Sequence, residues 1–261
     1  MVQAKKSLGQ HWLKDEAALE SICEGARLIK SDTVLEIGPG PGGLTKQLLK
    51  RAGRVVAVEI DKDLAASLPP APNLEVVQED ILKFDLTQLP LGYKVVANIP
   101  YYLTSNLIRV LSESLNQPKT IVLLVQKEVA ERLAAGPGGM SLLSVSSQLY
   151  FLPALGTVIS ADLFEPPPKV DSQVIILRRR PKPLFPDLDT KLFFQIVRAG
   201  FAGRRKKLRS SLSAGLRVSK TEADELVRAA NINGDLRAQN LSLQDWHKLY
   251  KAYESNIMDL Q

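Results

Sequence analysis

Cysteine and histidine are scarce in this chain of 261 residues, which has one cysteine and two histidines. The single Cys23 excludes an internal disulfide, and the two histidines are too few to form a Cys/His zinc cluster with it. No apolar run approaches the roughly 20 residues that cross a bilayer, and residues 1–20 lack the apolar segment of a signal peptide. We therefore expect a soluble cytoplasmic protein that holds no metal.

Positive charge is unevenly distributed along the chain. The formal net charge is +6, yet residues 178–217 hold twelve Lys/Arg against two Asp, which gives +10 there and −4 for the remainder. A run of like charges is often only a solvated helix face, but a long field of one sign attracts phosphates, so we favour a nucleic acid partner. The residues predicted to bind RNA phosphates are the densest basic cluster and two N-terminal lysines: Arg204, Arg205, Lys206, Lys207, Arg209, Lys5 and Lys6.

Apolar segments rich in β-branched residues alternate with helical patterns over the first two thirds of the chain. Hydrophobic residues make up 45% of the sequence, which is enough for a full core. The alternation predicts an α/β fold with a mainly parallel sheet and helices on both faces. The last segment follows a proline-rich loop without a crossover helix, so we expect it to pair antiparallel. The predicted strands are residues 33–37, 54–59, 74–78, 94–97, 120–126 and 173–177.

The pattern changes after residue 180. Pro181, Pro183 and Pro186 form a predicted linker, and three helix-like stretches follow it without another strand. Thr221-x-x-Asp224 and Ser242-x-x-Asp245 resemble capping boxes that open the second and third of these helices. We therefore predict two domains, residues 1–182 with the sheet and residues 183–261 as a small helical domain.

A glycine-rich turn follows the first predicted strand. Gly38, Gly40 and Gly43 match GxGxxG, which lets the backbone approach a ligand and is equally typical of dinucleotide-binding oxidoreductases. Glu59 ends the second strand, where its carboxylate could accept both hydroxyls of a ribose. Asp80 follows the third strand and is either a solvated turn carboxylate or an acceptor for an adenine amino group. The series fits S-adenosylmethionine, which offers an adenosine and no pyrophosphate, more closely than it fits a nicotinamide dinucleotide.

The fourth predicted strand leads into Asn98-Ile99-Pro100-Tyr101, which taken alone is an ordinary Asn/Pro turn. Its position gives it another meaning, because open α/β sheets bind ligands at the carboxyl ends of their strands. The Asn98 side-chain oxygen and the backbone carbonyl next to Pro100 could each accept one N–H of the adenine amine, drawing it toward a nucleophilic geometry. Tyr101 could stack on the base. The motif therefore predicts methyl transfer to an exocyclic amine.

Eight segments share the order and spacing of one known family. They are residues 7–13 (SLGQHWL), 35–45 (LEIGPGPGGLT), 58–61 (VEID), 98–101 (NIPY), 126–133 (QKEVAERL), 164–174 (FEPPPKVDSQV), 199–212 (AGFAGRRKKLRSSL) and 236–242 (LRAQNLS). Together they resemble the ribosomal RNA adenine dimethyltransferases over nearly the whole chain, most closely those of the KsgA type. The resemblance implies a Rossmann-like class I methyltransferase domain with a helical C-terminal domain. It also implies S-adenosylmethionine-dependent N6-dimethylation of two adjacent adenosines near the 3′ end of 16S small-subunit RNA, in ribosome biogenesis.

The resemblance also implies roles for residues outside the central motifs. His11 stands where the family carries asparagine or histidine, so we interpret it as a binding group, with a helix-capping histidine as the alternative. Trp12 replaces the usual phenylalanine, and Phe164 would sandwich a flipped adenine together with Tyr101. The predicted cofactor contacts are His11, Leu13, Gly38, Gly40, Glu59, Asp80 and Asn98, and the predicted catalytic residues are Asn98, Pro100, Tyr101 and Phe164.

Three other functions stay open at this point. An Erm-type enzyme that methylates one adenosine of 23S large-subunit RNA shares the same motifs, although the C-terminal LRAQNLSLQDWHKLY segment favours the KsgA type. The intact site residues argue against a non-catalytic nucleic-acid-binding assembly factor. The NIPY motif and the basic region argue against a nicotinamide oxidoreductase. We expect a monomer whose partner is small-subunit ribosomal RNA within a subunit or precursor, with no membrane partner.

Overall fold

A seven-stranded sheet organises most of the chain before residue 180 in the computed structural model, which describes Lys5, residues 9–203 and residues 205–258. Two further short strands pair with each other. The strands in chain order are β1 (Trp12–Leu13), β2 (Thr33–Ile37), β3 (Arg54–Glu59), β4 (Leu74–Gln78), β5 (Lys94–Asn98), β6 (Thr120–Gln126), β7 (Phe151–Ile159), β8 (Phe164–Glu165) and β9 (Ser172–Arg179). The helices are α1 (Glu16–Ala26), α2 (Gly43–Arg51), α3 (Lys62–Ser67), α4 (Thr104–Glu113), α5 (Lys127–Ala134), α6 (Leu142–Gln148), α7 (Thr190–Phe201), α8 (Leu208–Leu216), α9 (Lys220–Ala229) and α10 (Leu243–Met258).

The sheet has the strand order β4-β3-β2-β5-β6-β9-β7. Strands β2 to β6 are parallel, β9 pairs antiparallel with β6, and β7 pairs antiparallel with β9. The inner strands are continuous apolar runs buried on both faces, as expected where helices cover a parallel sheet. The predicted α/β fold is confirmed, including the antiparallel last segment.

Strand β7 was not predicted from the sequence. Its sequence contains Pro153 and Gly156, two residues that argue against a central strand. The structure places β7 at the edge of the sheet, where proline needs no donor, and its register with β9 shifts between Leu155 and Val158. Pro153 and Gly156 therefore indicate an edge strand with a bulge and not a loop.

The chain path brings four strand ends together. It runs from β2 through β3 to β4 on one side, then returns to β5 and β6 on the other side of β2. The crevice at such a reversal is where open α/β sheets hold their ligands. Gly38, Glu59, Asp80 and Asn98 lie at or just beyond the carboxyl ends of these strands.

Helix α1 shows how the local sequence builds the sheet's cover. The Asp15 side chain accepts the Ala18 N–H at 2.8 Å and so starts the helix. Its buried face includes Leu19, Ile22 and Cys23, which pack into the core of the sheet. Each fully buried leucine or isoleucine of this kind contributes about 1.5–3 kcal/mol.

The described chain divides into two compact units, and their boundary differs from the predicted one. Unit 1 contains the described residues up to Glu131 together with Phe151–Arg180, and unit 2 contains Arg132–Tyr150 and the described residues from Pro181 onward. Residues 132–150 join unit 2 because the Gly138 and Met140 N–H groups donate to the Gln239 carbonyl at 2.8 and 3.2 Å. Their apolar side chains also enter its core. The prediction from sequence had placed this segment in the first domain.

Unit 2 is helical, as expected, but four helices (α7 to α10) rather than three follow residue 181 in the part of the chain that the structure describes. The capping box of α9 is formed by Ser219 and Glu222, so the predicted box at residues 221–224 was wrong by two positions. The box at Ser242 and Asp245 is confirmed, since each backbone N–H donates to the other side chain at 3.1 Å. None of the helices described is long and apolar enough to span a membrane.

Candidate active site

A cavity of about 210 Å³ opens at the carboxyl edge of the unit 1 sheet. Its walls come from the N-terminal segment, the glycine-rich turn and the ends of β3, β4 and β5, namely residues 9–13, 36–41, 58–60, 79–82 and 98–103. Nine of the predicted site residues line this cavity: His11, Leu13, Gly38, Gly40, Glu59, Asp80, Asn98, Pro100 and Tyr101.

The glycine-rich turn is tied to the end of β3 through Glu59. The Gly40 N–H donates to Glu59 Oε2 at 3.1 Å, and the Asp61 N–H donates to Oε1 at 3.0 Å. These bonds fix the buried carboxylate and leave each oxygen further lone pairs for a ribose hydroxyl. Gly38 has φ +64°, and a Cβ there would meet no protein atom within 4 Å. The turn therefore keeps open a space that a side chain would fill.

Glu36 is a site residue that sequence reasoning missed. It lies within the central strand β2, is fully buried, and lines the cavity. Neither carboxyl oxygen has a hydrogen-bond partner among the described residues. Burial raises the pKa of Glu36 to about 8, the Thr45 hydroxyl opposes this shift, and the nearby Glu59 charge adds to it. The available signal was a lone acid inside an otherwise apolar strand, two residues before Gly38.

Two more cavity residues present polar atoms to the same space. The Trp12 indole N–H is buried without a hydrogen-bond partner among the described residues. One Asp80 oxygen accepts the Leu82 N–H at 3.0 Å, which holds the half-buried carboxylate at the cavity wall. A buried donor and buried acceptors without partners are costly unless a ligand satisfies them.

The cavity fits S-adenosylmethionine on these grounds. Glu59 has free lone pairs that could accept ribose hydroxyls, Asp80 could accept from an adenine amine, and Glu36 and Trp12 have buried polar atoms that a polar ligand could satisfy. The open space at Gly38 admits the ligand close to the backbone. No group of three or more His, Cys, Asp or Glu suited to a metal ion occurs in the described ranges.

Asn98 links the N-terminal segment to the strand end. Its Nδ2 donates to the His11 carbonyl at 3.3 Å, which leaves Oδ1 available to accept from a substrate. His11 Nδ1 lies 2.7 Å from the Pro166 carbonyl and must be the donor, so Nε2 remains an acceptor in the neutral ring. The His11 and Tyr101 rings are nearly parallel, with centroids 6.0 Å apart. His11 is thus a cavity residue and not a helix cap.

The structure distinguishes the two backbone carbonyls beside the proline. The Pro100 carbonyl accepts the Leu103 N–H at 3.0 Å and is therefore occupied. The Ile99 carbonyl lies beyond the end of β5, and no backbone N–H of the described residues donates to it there. Pro100 has φ −56° and begins the turn that follows. The carbonyl available beside Asn98 is thus that of Ile99, and Pro100 contributes by shaping the turn.

Tyr101 is held by a bond to the antiparallel strand β9. Its hydroxyl lies 2.8 Å from Ser172 Oγ. Burial raises the pKa of the Tyr101 hydroxyl, the Ser172 bond opposes this, and the Asp171 charge adds to the rise. The ring therefore stays neutral at physiological pH and has a fixed position from which it can stack on a planar base.

Phe164 lies outside the cavity, although the sequence predicted that it would stack on the target base. It belongs to β8, faces Leu13 across the antiparallel pair, and is 5% exposed within the apolar core of unit 1. It does not line the cavity described here. Because β8 pairs with β1, the ring packs against the core of unit 1, and its stacking on a flipped base stays a prediction. Tyr102, which is 65% exposed and lines the cavity, is an aromatic surface that the prediction did not include.

Several of the predicted phosphate-binding residues are already paired with acids. Lys5 lies 2.8 Å from Asp61 and 3.3 Å from Asp63. Asp235 pairs with both Lys207, at 3.1 Å, and Arg209, at 2.8 Å. Arg205 and Lys206 are exposed. The predictions for Lys6 and Arg204 lie outside the described residues.

Comparisons with known proteins show the family of this chain. A sequence model described as ribosomal RNA adenine dimethylase matches residues 1–255. The chain is 40% identical to Ribosomal RNA small subunit methyltransferase A of Dehalococcoides mccartyi strain CBDB1, over 98% of this chain and 90% of that protein. A dimethyladenosine transferase from Plasmodium falciparum superposes with a TM-score of 0.79 at 27% identity, covering 93% of this chain and 97% of that one. The 23S rRNA methyltransferase ErmE has a TM-score of 0.72 at 30% identity, covering 93% and 99%.

The family match spans both units, and the residues that the resemblance assigns to the cofactor and the amine line the cavity, apart from Phe164. The two solved relatives are methyltransferases that cover 93% of this chain, and with the mostly parallel sheet flanked by helices they identify a Rossmann-like class I methyltransferase fold with a helical C-terminal region. Family match and fold thus agree: the chain belongs to the ribosomal RNA adenine dimethylase family.

Proposed function

We propose that this protein uses S-adenosylmethionine to convert two adjacent adenosines near the 3′ end of small-subunit ribosomal RNA to N6,N6-dimethyladenosine, as a step of ribosome biogenesis in the cytoplasm. The observation that carries the proposal is a pair of acceptors, Asn98 Oδ1 and the Ile99 carbonyl, to which no described residue donates, at the wall of a cavity that fits the cofactor. The name of the Dehalococcoides relative supports the choice of the small subunit.

These acceptors match the chemistry that an adenine amine requires. The lone pair of the N6 amine is delocalised into the ring, so the nitrogen is a poor nucleophile while it stays planar. Two oxygens that each accept one N–H place partial negative charge where positive charge develops in the transition state. Tyr101, anchored by Ser172, gives the flipped base a surface to stack on, which is worth about 1–3 kcal/mol.

The residues of unit 1 would hold the cofactor without a covalent step. Glu59, Asp80 and the Gly38 turn bind and orient it, and when bound it supplies an electrophilic methyl group. The protein's part is positioning and electrostatics. The methylated aminium is strongly acidic, so water can take its proton. For the second transfer the monomethylated amine has one N–H left, and one of the two acceptors suffices to orient it.

Methyl transfer from labelled S-adenosylmethionine to two substrates tests the proposal. Undermethylated small subunits and free large-subunit RNA are incubated in parallel, and the nucleosides are analysed by mass spectrometry. We expect dimethyladenosine in the small subunit at two adjacent positions. Label confined to large-subunit RNA would move the function to the Erm type, and label in neither substrate would favour a binding role.

A further inference from the structure

A second cavity, of about 380 Å³, lies at the same edge of the unit 1 sheet. Its lining residues are Gln126, Lys127, Glu128, Lys169, Val170 and Asp171. The Lys127 N–H donates to the Asp171 carbonyl at 3.0 Å and joins the end of β6 to the start of β9. None of these residues belongs to the site described above.

The register of the sheet sets how far this second cavity is from the reacting amine. Asn98 faces Leu124 across β5 and β6, and Gln126 follows two residues later on β6. Two residues along β6 and one spacing between neighbouring strands place the backbone of Gln126 about 8 Å from the backbone of Asn98. On the other side, Ser172 faces Gln126 and holds the Tyr101 hydroxyl, and Asp171 directly precedes Ser172. The cavity thus begins one residue away from the group that anchors the stacking ring.

The lining offers the groups that bind a ribose-phosphate. Lys127 and Lys169 are exposed and form no ion pair among the described residues. One oxygen of Asp171 is bound by the Ala161 N–H at 3.1 Å, which holds that carboxylate against the loop. The cavity also contains Glu128, so its formal charge is balanced. A phosphodiester gives anionic oxygens to the lysines, whereas a 2′-hydroxyl gives a hydrogen to a carboxylate.

A flipped nucleotide needs such a surface. The target nucleotide rotates about its backbone and its base enters the active site, so the flanking sugar-phosphates stay outside and must be held near the cavity mouth. Lys5, Lys207 and Arg209, which the sequence suggested for this task, are paired with aspartates. Within the described ranges Lys127 and Lys169 form no ion pair, and they lie at the edge of the sheet that holds Asn98.

We propose that Lys127 and Lys169 bind the phosphodiester next to the target adenosine, and that the cavity between them takes the adjoining ribose. This inference rests on the proposed function, since it assumes an RNA substrate. The lysines position the strand and take no part in the chemistry. Their loss should therefore act on RNA binding and leave the cofactor bound as before.

The K127Q/K169Q double variant tests this, with K30Q/K50Q as the matched control. Lys30 and Lys50 are also exposed, carry the same charge and lie toward the opposite edge of the sheet. Undermethylated small subunits are the methylation substrate, labelled small-subunit RNA is the binding probe, and S-adenosylmethionine binding is measured by calorimetry. We expect KM for the subunits to rise about tenfold and the slope of log K against log salt to fall by about 0.7 in magnitude, because the loss of one single-strand phosphate contact accounts for about 0.7.

Two further comparisons separate a loss of RNA binding from a general loss of structure or charge. They are the arginine variant K127R/K169R and the cofactor affinity of every variant. We expect K127R/K169R to retain the wild-type KM and salt slope, and all variants to bind the cofactor equally. If K127Q/K169Q has the same KM and salt slope as K30Q/K50Q while the wild type methylates the small subunit, this inference is wrong and the proposed function stands. If the wild type methylates neither RNA, the proposed function fails first and this inference fails with it.

Discussion

The buried Glu36 carboxyl makes the stability of unit 1 depend on pH. Its pKa in the folded protein is about 8, against an ordinary value of 4.5, chiefly because burial penalises the charged form. Between these two values the folded chain holds a proton that the unfolded chain releases. The free energy of unfolding therefore decreases as pH rises through this window, and the contribution of Glu36 is fully unfavourable above about pH 8.

The E36Q variant isolates this effect, because glutamine has nearly the same shape and does not ionise. Linkage between the two pKa values gives a loss of about 2–3 kcal/mol for the wild type between pH 6 and pH 9. The variant lacks that loss, while every other titrating group is common to both proteins. We therefore expect E36Q to become more stable than the wild type by about 2–3 kcal/mol over this pH range, relative to their difference at pH 6.

Hydrogen exchange read at β2 (Thr33–Ile37) gives the required measurement. A single unfolding curve could mix the two units, whereas exchange in β2 reports the unit that contains Glu36. Both proteins are compared without cofactor at about pH 6 and about pH 9, after correction for the intrinsic exchange rate. Equal pH dependence of wild type and E36Q would refute the reasoning, since Glu36 would then be no more protonated in the folded than in the unfolded chain.

Three further predictions concern the cofactor, the amine and the basic cluster. N98A should lower single-turnover methylation by about 10²–10³, the typical cost of losing one preorganised transition-state hydrogen bond, and leave part of the cofactor affinity intact by dialysis. G38A should weaken cofactor binding at least tenfold in calorimetry, because its Cβ would enter the open space. G92A is the control, since Gly92 also has a positive φ and no neighbour within 4 Å of an added Cβ. Both variants should lose about 1–2 kcal/mol of stability, but G92A should bind the cofactor as the wild type does. D235N should steepen the salt dependence of RNA binding, since it frees Lys207 and removes one of the two acids that pair with Arg209, the other being Asp224.

Each of these has an outcome that would count against it. Near-normal turnover of N98A would remove Asn98 from the amine site. Equal cofactor affinity of G38A and G92A would mean that the space at Gly38 is not occupied by the ligand. An unchanged salt slope for D235N would show that its partner cations do not bind RNA phosphates.

The sheet and its ligand edge could be predicted from the sequence because they depend on short-range patterns. Apolar runs of strand length, a glycine-rich turn after the first of them and acids at the next two strand ends are all local signals. Strands β2, β3, β4 and β6 have the predicted bounds. The cofactor cavity follows from topology once these strands are parallel neighbours, because their carboxyl ends then meet.

The remaining features depend on contacts between distant parts of the chain. Phe164 packs into the core because β8 pairs with β1, and residues 132–150 join unit 2 because Gln239 accepts two of their N–H groups. Neither partner can be found from local periodicity. The same holds for Lys207 and Arg209, whose charges count as free in the sequence but are paired with Asp235 in the structure.

Asn98 shows why the amine site and the N-terminal segment have to form together. Its two amide ends have different partners: Nδ2 donates to the His11 carbonyl, and Oδ1 is left for the substrate. If the His11 segment moved away, the amide could rotate and the acceptor would no longer be fixed. The segment is itself held from the other side by the His11 bond to Pro166 and by the pairing of β1 with β8. Orientation of the target amine therefore depends on a chain of contacts that runs from β5 through residues 11–13 to β8, so substitutions in that segment should affect turnover although they touch neither acceptor.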